Sequence, residues 1–481
     1  MTDRYDLVIL GSGSTAFAAA ITALELGKRA VMTEARTVGG TCVNRGCLPS
    51  KNLFEAARLL HDARHPRYPG LAGCKLELDF RQLIAQKDEV LAAFRERKYL
   101  GLFDEGRQVP IVKGQVRFLD AHTIEVDGPE GTTCPEGEPI LVALGSSPAI
   151  PAIEGLRDVP YLTSDLLTSQ EDLELTALPD SLIVIGGGYI AVELGQMFNR
   201  FGSKVTILER SERLLSAYEP EIGLALGDIL RAEGLDVQTT AATRRVRRDG
   251  DGVVVAAEVG GEQREFRAAR LLVAAGRTPN TWGIGLEDAG VRLDERGAVA
   301  VDEFLRTSVP HIWAAGDVIG TERDSQMATP VGAHDGGIAA HNALSGEAPR
   351  RIDHRVIPRA VFTDPQVGVV GMTEEEATAV GHTCWCNTIP LELVPRAGAI
   401  RDTRGIIKMV ADADTSEVLG VSMLGVNAAE VIHEAAIGLR FHAAVDDFID
   451  LLHVYPTMAE ALKIVALSRY KDPAKLSCCA E

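Results

Sequence analysis

The sequence predicts an α/β fold: two Rossmann-like three-layer domains followed by a C-terminal α+β unit. Three observations carry this expectation. Two glycine-rich turns, Gly11-Ser-Gly13-Ser-Thr-Ala16 and Gly186-Gly-Gly188-Tyr-Ile-Ala191, each lie between a short apolar run and a stretch with helical spacing. Each is followed by a second apolar run ending in an acid, Glu34 or Glu209. The likeness extends further, because each half closes on an apolar run leading into Gly, Ser or Thr, and Pro: LVALGSSP at 141–148 and LLVAAGRTP at 271–279. Strand, glycine turn, helix and strand make the βαβ dinucleotide-binding unit, and its recurrence is an internal repeat.

The elements follow in order. YDLVIL is a strand, GSGSTAFAAAITALELG a turn and helix, and RAVMTEA the next strand, ending near Glu34. LIVI at 182–185, GGGYIAVELGQMFNRFG and KVTILER repeat the series and end at Glu209. VVVAAEV, flanked by glycine turns, alternates as β structure does. Beyond about residue 350 the character changes. VIPRAVFTDPQVGVVG and GIIKMVADADTSEVLGVSMLG read as strands, AAEVIHEAAIGLRFHA and MAEALKIVALSRY as helices. The expected organisation is a split first domain over 1–150 and 276–345, a second over 151–275 inserted in it, and a third over 350–481.

Composition excludes several classes. The 481 residues suffice for about three domains. A net charge of −19 argues against nucleic acid or an anionic membrane as the main partner, since both need a basic face. No apolar run reaches the ~20 residues that span a bilayer, and MTDRYDLVIL lacks the basic start and long apolar core of a secretory signal. A cytoplasmic location is expected. In that compartment the eight cysteines are not expected to be structural staples.

The glycine turns let backbone approach a pyrophosphate, and the following helix aims its N–H groups at that anion. Gly11, Gly13 and Ala16 fill the first turn, Gly186 and Gly188 the second; Glu34 and Glu209 stand where an acid bonds a ribose hydroxyl. By charge Glu209 favours NADH, whereas Arg210 and Arg213 just beyond it are placed to accept a 2′-phosphate. A third motif, Gly39-Gly40-Thr41-Cys42-Val-Asn-Arg-Gly-Cys47-Leu-Pro-Ser-Lys51, puts two cysteines before a segment that turns helical at NLFEAARLL. A thiol near a helix N-terminus has a lowered pKa, and such a pair cycles between dithiol and disulfide. Zinc is a poor fit, because no second pair stands at suitable spacing. At the other end lie Cys478 and Cys479. Adjacent cysteines hardly close a relaxed disulfide, but on a chain end they present two thiolates together, and soft thiolates suit soft metals. Cys384 and Cys386, with His382 nearby, read as strand cysteines, and Cys74 and Cys134 as structural ones.

The segment GGTCVNRGCLPSK resembles the active-site segment of the pyridine nucleotide–disulfide oxidoreductases, and the resemblance runs over essentially the whole chain. It implies FAD at the first glycine motif, NADH or NADPH at the second, and a homodimer whose C-terminal unit is the interface domain. TSVPHIWAAGD, ending at Asp317, is similar to the family's second FAD segment. Likeness further assigns Ser14, Gly40, Thr41, Lys51, Gly114, Gln115 and Gly145 to FAD, and Tyr189, Ile190 and Gly276 to NAD(P)H. By the same likeness Cys47 is the thiol nearer the flavin, Cys42 the exchanging thiol, Lys51 is paired with Glu193, and Tyr189 covers the nicotinamide pocket.

Disulfide-reducing members carry a general-acid His directly before Pro-Thr, held by a Glu a few residues on. Here the stretch is His453-Val-Tyr455-Pro-Thr-Met-Ala-Glu460. His453 stands two residues early, ~6–7 Å along an extended chain. Hg(II) needs no such acid, because metal–thiolate bonding deprotonates its ligands. Mercury-reducing members of the family similarly have Tyr at the position of Tyr455, a Lys-Tyr pair like Lys98-Tyr99, and a vicinal-Cys tail that serves the partner subunit. The resemblance therefore implies NAD(P)H-dependent reduction of Hg(II) to Hg(0), a detoxification. Cys42, Cys47, Cys478 and Cys479 hold the metal in transit, and small thiols or a mercury transport protein deliver it. Two rivals stand beside this reading. One is a low-molecular-weight disulfide or dihydrolipoamide reductase, which the Gly186–Tyr189 stretch also suits. The other is a thiol-rich metal-sequestering or redox-sensing flavoprotein.

Overall fold

A computed structural model describes residues 4–103, 109–168, 174–321 and 325–477. Strand β1 (Leu7–Leu10) is wholly buried and leads into helix α1 (Ser14–Glu25), which turns Ala16, Phe17, Ala19, Ala20 and Ala23 inward. Next come β2 (Ala30–Glu34), the short α2 (Gly40–Asn44), α3 (Cys47–Arg64), α4 (Phe80–Lys98), β3 (Ile111–Lys113) and β4 (Ile140–Val142). These four strands form a parallel sheet in the order β3-β2-β1-β4. Val116, Phe118, Ile124 and Val126, from an adjoining antiparallel sheet, join the same core.

The second unit repeats the plan with β5 (Ser181–Ile185), α5 (Tyr189–Phe201), β6 (Lys204–Leu208), β7 (Asp236–Gln238) and β8 (Arg270–Val273). Its parallel sheet has the order β7-β6-β5-β8. Both faces of β5 are covered, as a parallel strand requires. Leu182 and Val184 meet Leu194 and Phe198 of α5 in one core. Ile183 and Ile185 pack with Val253 and Val255 of a three-stranded antiparallel sheet, Ala241–Asp249, Gly252–Val259 and Glu262–Ala268.

The chain then returns to the first sheet, where β9 (Ile312–Ala314) pairs with β4, Ile312 opposite Ile140. Between outward and return passages, Ser146–Pro148 pairs antiparallel with Arg277–Pro279. Helix α6 (Thr329–Leu344) packs directly on α1. A Cβ at Gly336 would lie 2.2 Å from the Thr15 carbonyl oxygen, and one at Gly332 2.6 Å from Thr15 Oγ1, so these helices touch backbone to backbone.

The last unit is an antiparallel sheet of β10 (Arg359–Val361), β11 (Gln366–Gly371), β12 (Cys384–Pro390), β13 (Ile406–Asp412) and β14 (Val418–Gly425), in the order β10-β11-β14-β13-β12. Helices α7 (Ala428–Arg440) and α8 (Glu460–Leu467) share its core. No helix among the described residues is long and apolar enough to cross a membrane.

Candidate active site

The two glycine turns are near copies of one another. Gly11 has φ +114° and Gly186 φ +115°. A Cβ on either would stand 2.4 Å from a carbonyl oxygen, that of Ala143 or of Ala274. Gly13 and Gly188 then cap α1 and α5 with nearly equal backbone angles and no side-chain cap. The first N–H groups of both helices thus lack the side-chain oxygen that usually meets them, which fits an anion supplied by a ligand. Open space lies over Gly188 and Gly276, where an added Cβ would meet nothing within 4 Å.

The carboxylates at the strand ends are held in place. Glu34 accepts from Ser12 Oγ at 2.5 Å and Arg36 N at 2.6 Å. Glu209 accepts from Ser211 N at 2.7 Å and backs onto Gly187. Gly114 and Gln115 line a cavity with Ala35, Arg36, Lys113 and Asp127, beside the end of β2. Asp317 accepts from Ser146 Oγ at 2.6 Å, and Ser146 is itself held by Arg277 Nε at 2.7 Å. Gly145 (φ +68°) turns the chain just before that contact. The residues present therefore fit two dinucleotides, one at each turn.

The cysteine segment backs onto the first turn. Gly39 and Gly40 both have positive φ, and a Cβ on Gly40 would lie 2.7 Å from Gly13 Cα, so only glycine permits this approach. Asn44 anchors the segment by donating to Gly40 O at 2.8 Å and Val38 O at 3.0 Å, while its Oδ1 accepts from Arg95 at 2.9 Å. Thr41 O accepts from Arg45 N at 2.9 Å across the turn between the cysteines. Helix α3 begins at Cys47 itself, five residues earlier than the run NLFEAARLL suggests.

Cys42 and Cys47 are free thiols. The Cys47 pKa is lowered to about 6, first by the hydrogen bond from Cys42 and then by the Lys51 charge and the Thr329 hydroxyl. Cys42 is pushed up, first because it donates that hydrogen bond and then by burial. One sulfur is thus a thiolate and the other its proton-bearing partner. Thr329 Oγ1, at the first residue of α6, stands 3.8 Å from Cys47 Sγ.

Lys51 Nζ donates to Glu193 Oε2 at 2.7 Å and lies 4.6 Å from the Phe362 ring centre. The other oxygen of Glu193 accepts from Phe362 N at 2.8 Å. A buried carboxylate of α5 therefore fixes a lysine of α3 and a loop of the last unit together. Tyr189 opens α5 and is 41 % exposed. Ile190 beside it is half-buried. Tyr99 ends α4 with its hydroxyl 3.5 Å from Ser14 Oγ and its ring edge-on to Phe17 at 4.9 Å. Burial raises its pKa, and the charges of Cys42 and Cys47 add to that.

Other expected residues lie apart from this cluster or outside it. Tyr455 is 49 % exposed, joined to Pro456 by a cis bond, and follows exposed Leu452 and Val454. Glu460 accepts from Thr457 N at 3.1 Å. His453 Nε2 meets Glu434 Oε1 on α7 at 2.8 Å. Cys478 and Cys479 lie outside the described residues. Cys384 and Cys386 sit on β12, packed against Ala377, Val410 and Leu419. Cys74 and Cys134 are exposed, which corrects the structural role expected of them: neither has a core to support.

Sequence reasoning missed Thr329, Asn44 and the backbone of Phe362. Thr329-Pro330 did carry a signal, since Pro favours the first turn of a helix. Nothing local marks Phe362, whose place depends on Glu193, 169 positions away.

Residues 5–341 match the family model described as pyridine nucleotide-disulphide oxidoreductase, and 357–466 the dimerisation domain of the same family. A mercuric reductase of Streptomyces lividans is 44 % identical, covering 99 % of this chain and 98 % of that protein. One of Lysinibacillus sphaericus is 42 % identical over 99 % of this chain and 85 % of its own length. Among solved structures, the Cu(II) complex of the HOCl-induced flavoprotein disulfide reductase RclA from Escherichia coli superposes with a TM-score of 0.85 at 33 % identity. It covers 98 % of this chain and 100 % of that one.

Proposed function

Because this chain belongs to the pyridine nucleotide-disulphide oxidoreductase family, we propose that it reduces Hg(II) to Hg(0) with electrons from NAD(P)H. The observation that carries this is the Cys42–Cys47 couple, one sulfur kept as thiolate between Lys51 and Thr329. The overall balance is NAD(P)H and Hg(II) to NAD(P)⁺, H⁺ and Hg(0). Bound FAD supplies the two-electron link between the nicotinamide and the thiol site. Mercury detoxification is the physiological consequence.

The chain's own residues perform the rest. Cys47 presents a thiolate to the incoming metal, and Cys42 completes a two-sulfur site by giving up its proton as the metal takes its place. Lys51, held by Glu193, keeps positive charge beside the sulfurs and the flavin position. Tyr189 covers the nicotinamide side, and Tyr99 lines the entrance on the thiol side. Gly11, Gly13, Ser14, Glu34, Gly114, Gln115, Gly145 and Asp317 hold FAD; Gly186, Gly188, Ile190, Glu209 and Gly276 hold NAD(P)H. Residues 1–150 with 276–345, then 151–275 and 350–481, act as the three domains. Two chains form the working unit, the partner's tail supplying Cys478 and Cys479 and its Tyr455 and Glu460 closing the site. Hg(II) reaches that tail on small thiols or a transport protein, in the cytoplasm.

The decisive experiment is anaerobic oxidation of NADH and NADPH by the FAD-loaded protein with HgCl2 and excess thiol, trapping volatile mercury. One Hg(0) per nicotinamide oxidised is expected. Oxidation without Hg(0), together with turnover of a disulfide such as oxidised lipoamide, would overturn the proposal and make His453 the residue to mutate.

A further inference from the structure

We propose that His122, Glu138 and His311 form a second metal site, for a borderline divalent ion of the Zn²⁺ class, separate from the thiol centre. One donor atom from each of the three lies within 4.8 Å of the other two. The sheet fixes this juxtaposition. His311 immediately precedes β9 and Glu138 stands two residues before β4, and the register Ile312–Ile140 brings those strand starts together. A backbone hydrogen bond from Ile140 N to His311 O, 2.9 Å long, ties them. His122 comes from the turn before the strand Ile124–Gly128, and Asp120 holds that turn by accepting from His122 N at 2.8 Å and Thr123 Oγ1 at 3.0 Å.

The donors are prepared for a cation. His311 Nε2 stands 2.7 Å from the Ala121 carbonyl oxygen. A carbonyl only accepts, so Nε2 donates there and Nδ1 is the nitrogen left to face a ligand. A metal-bound imidazole is oriented in this way, by a backbone carbonyl on its far nitrogen. The His122 ring stacks on His311, centres 4.3 Å apart and planes 11° from parallel, and its Nδ1 shares a hydrogen bond with Glu138; because an imidazole lone pair lies in the ring plane, the exposed His122 ring turns off this stack when both rings bind one ion. A divalent ion replaces the shared proton and neutralises the carboxylate without placing two imidazolium charges face to face.

The donor set also selects the ion. Two imidazoles and a carboxylate suit Zn²⁺, Ni²⁺ or Cu²⁺, whereas Hg(II) prefers the thiolates elsewhere in the chain. His122 and Glu138 are exposed, so the ion is exchangeable and water completes its shell. All strands of this sheet are parallel, and Gly11 follows the C-terminal end of β1 while Glu138 and His311 precede the N-terminal ends of β4 and β9. The proposed site therefore occupies the opposite edge of the sheet from the dinucleotide turn and is no part of the redox centre.

The test uses the FAD-loaded protein with its thiols blocked by N-ethylmaleimide. Equilibrium dialysis against Zn²⁺ at pH 7.5 should give one ion per chain, bound at least tenfold more weakly at pH 5.5, where free imidazole (pKa ~6.5) is protonated. His122→Ala, at an exposed turn, and His311→Ala should each remove this ion. Glu138→Gln should weaken it about tenfold. Cu²⁺ in place of Zn²⁺ should show two-nitrogen hyperfine coupling by electron paramagnetic resonance, reduced to one nitrogen in His122→Ala. No saturable Zn²⁺ in the blocked protein, or an unchanged ion count in a His122→Ala variant that still binds FAD, would overturn the proposal.

Discussion

In the proposed reaction the chemistry turns on the Cys47 thiolate, and its state is set by three neighbours from three elements. With its pKa lowered to about 6, the thiolate persists at neutral pH and is protonated below that value. Alkylation of Cys47 by iodoacetamide, followed by peptide mass spectrometry, should therefore be flat above about pH 7 and fall about tenfold per unit below pH 6. Lys51→Met removes a favourable charge, so the profile should shift upward; an unshifted profile would detach Lys51 from the thiol. Glu209 makes a second residue-scale prediction. Its carboxylate, fixed by Ser211 N, repels a 2′-phosphate, so kcat/KM should favour NADH, and Glu209→Ala should narrow that preference about tenfold. An NADPH preference in the unmodified enzyme would assign the phosphate to Arg210 and Arg213. Cys42, Cys47 and the glycines of the turns were legible in the sequence from their spacing, and Lys51 and Glu193 from the resemblance to the family. Thr329 and Phe362 were not, because only the packing of α6 and of the last unit brings them to the sulfur and to Glu193.

Elements were legible where periodicity was strong and less so where tertiary contact decides. Strands β1 and β5 and helices α1 and α5 read directly from apolar runs and glycine turns. The start of α3 did not, because Cys47, Leu48 and Pro49 carry no helical pattern; Pro is simply tolerated in a first turn. Nor did the pairing of His453 with Glu434 of α7. The elements of the second and third units are joined by a charge cluster that no local pattern announces. Lys408 of β13 donates to Glu219 at 3.0 Å, Glu221 at 2.9 Å and Glu374 at 2.8 Å. Lys408 and Glu219 are both buried. Lys408→Met leaves that carboxylate with the Glu374 N–H but no countercharge, and a loss of about 3 kcal/mol is expected. Urea titration of the FAD-loaded variant measures it, and a loss below about 1 kcal/mol would mean that water already reaches Glu219.

At the scale of the whole molecule, the last unit exposes apolar side chains that a single chain does not cover. Ile437 and Phe441 at the end of α7, with Leu452 and Val454, are all more than 60 % exposed. In a chain that carries a dimerisation domain, these residues are the surface expected to pair. Phe441→Asp with Leu452→Asp should shift the protein toward monomer by light scattering and lower mercury turnover, if the partner's tail serves the site. Cys478→Ala with Cys479→Ala should leave the dimer intact and slow turnover chiefly when Hg(II) arrives on bulky thiols; unchanged kinetics would remove the tail from the pathway. The paired strands Ser146–Pro148 and Arg277–Pro279 have a different kind of consequence. They carry the polypeptide away from the first sheet and back at adjoining points, so the intervening segment begins and ends side by side. An insertion with neighbouring ends imposes no displacement on its host, and the sheet closes as though the backbone had never left. The ends are free but the middle is not: Glu193 of the inserted unit grips Lys51 of its host at 2.7 Å, so a change in the packing of the insertion is felt beside the thiols.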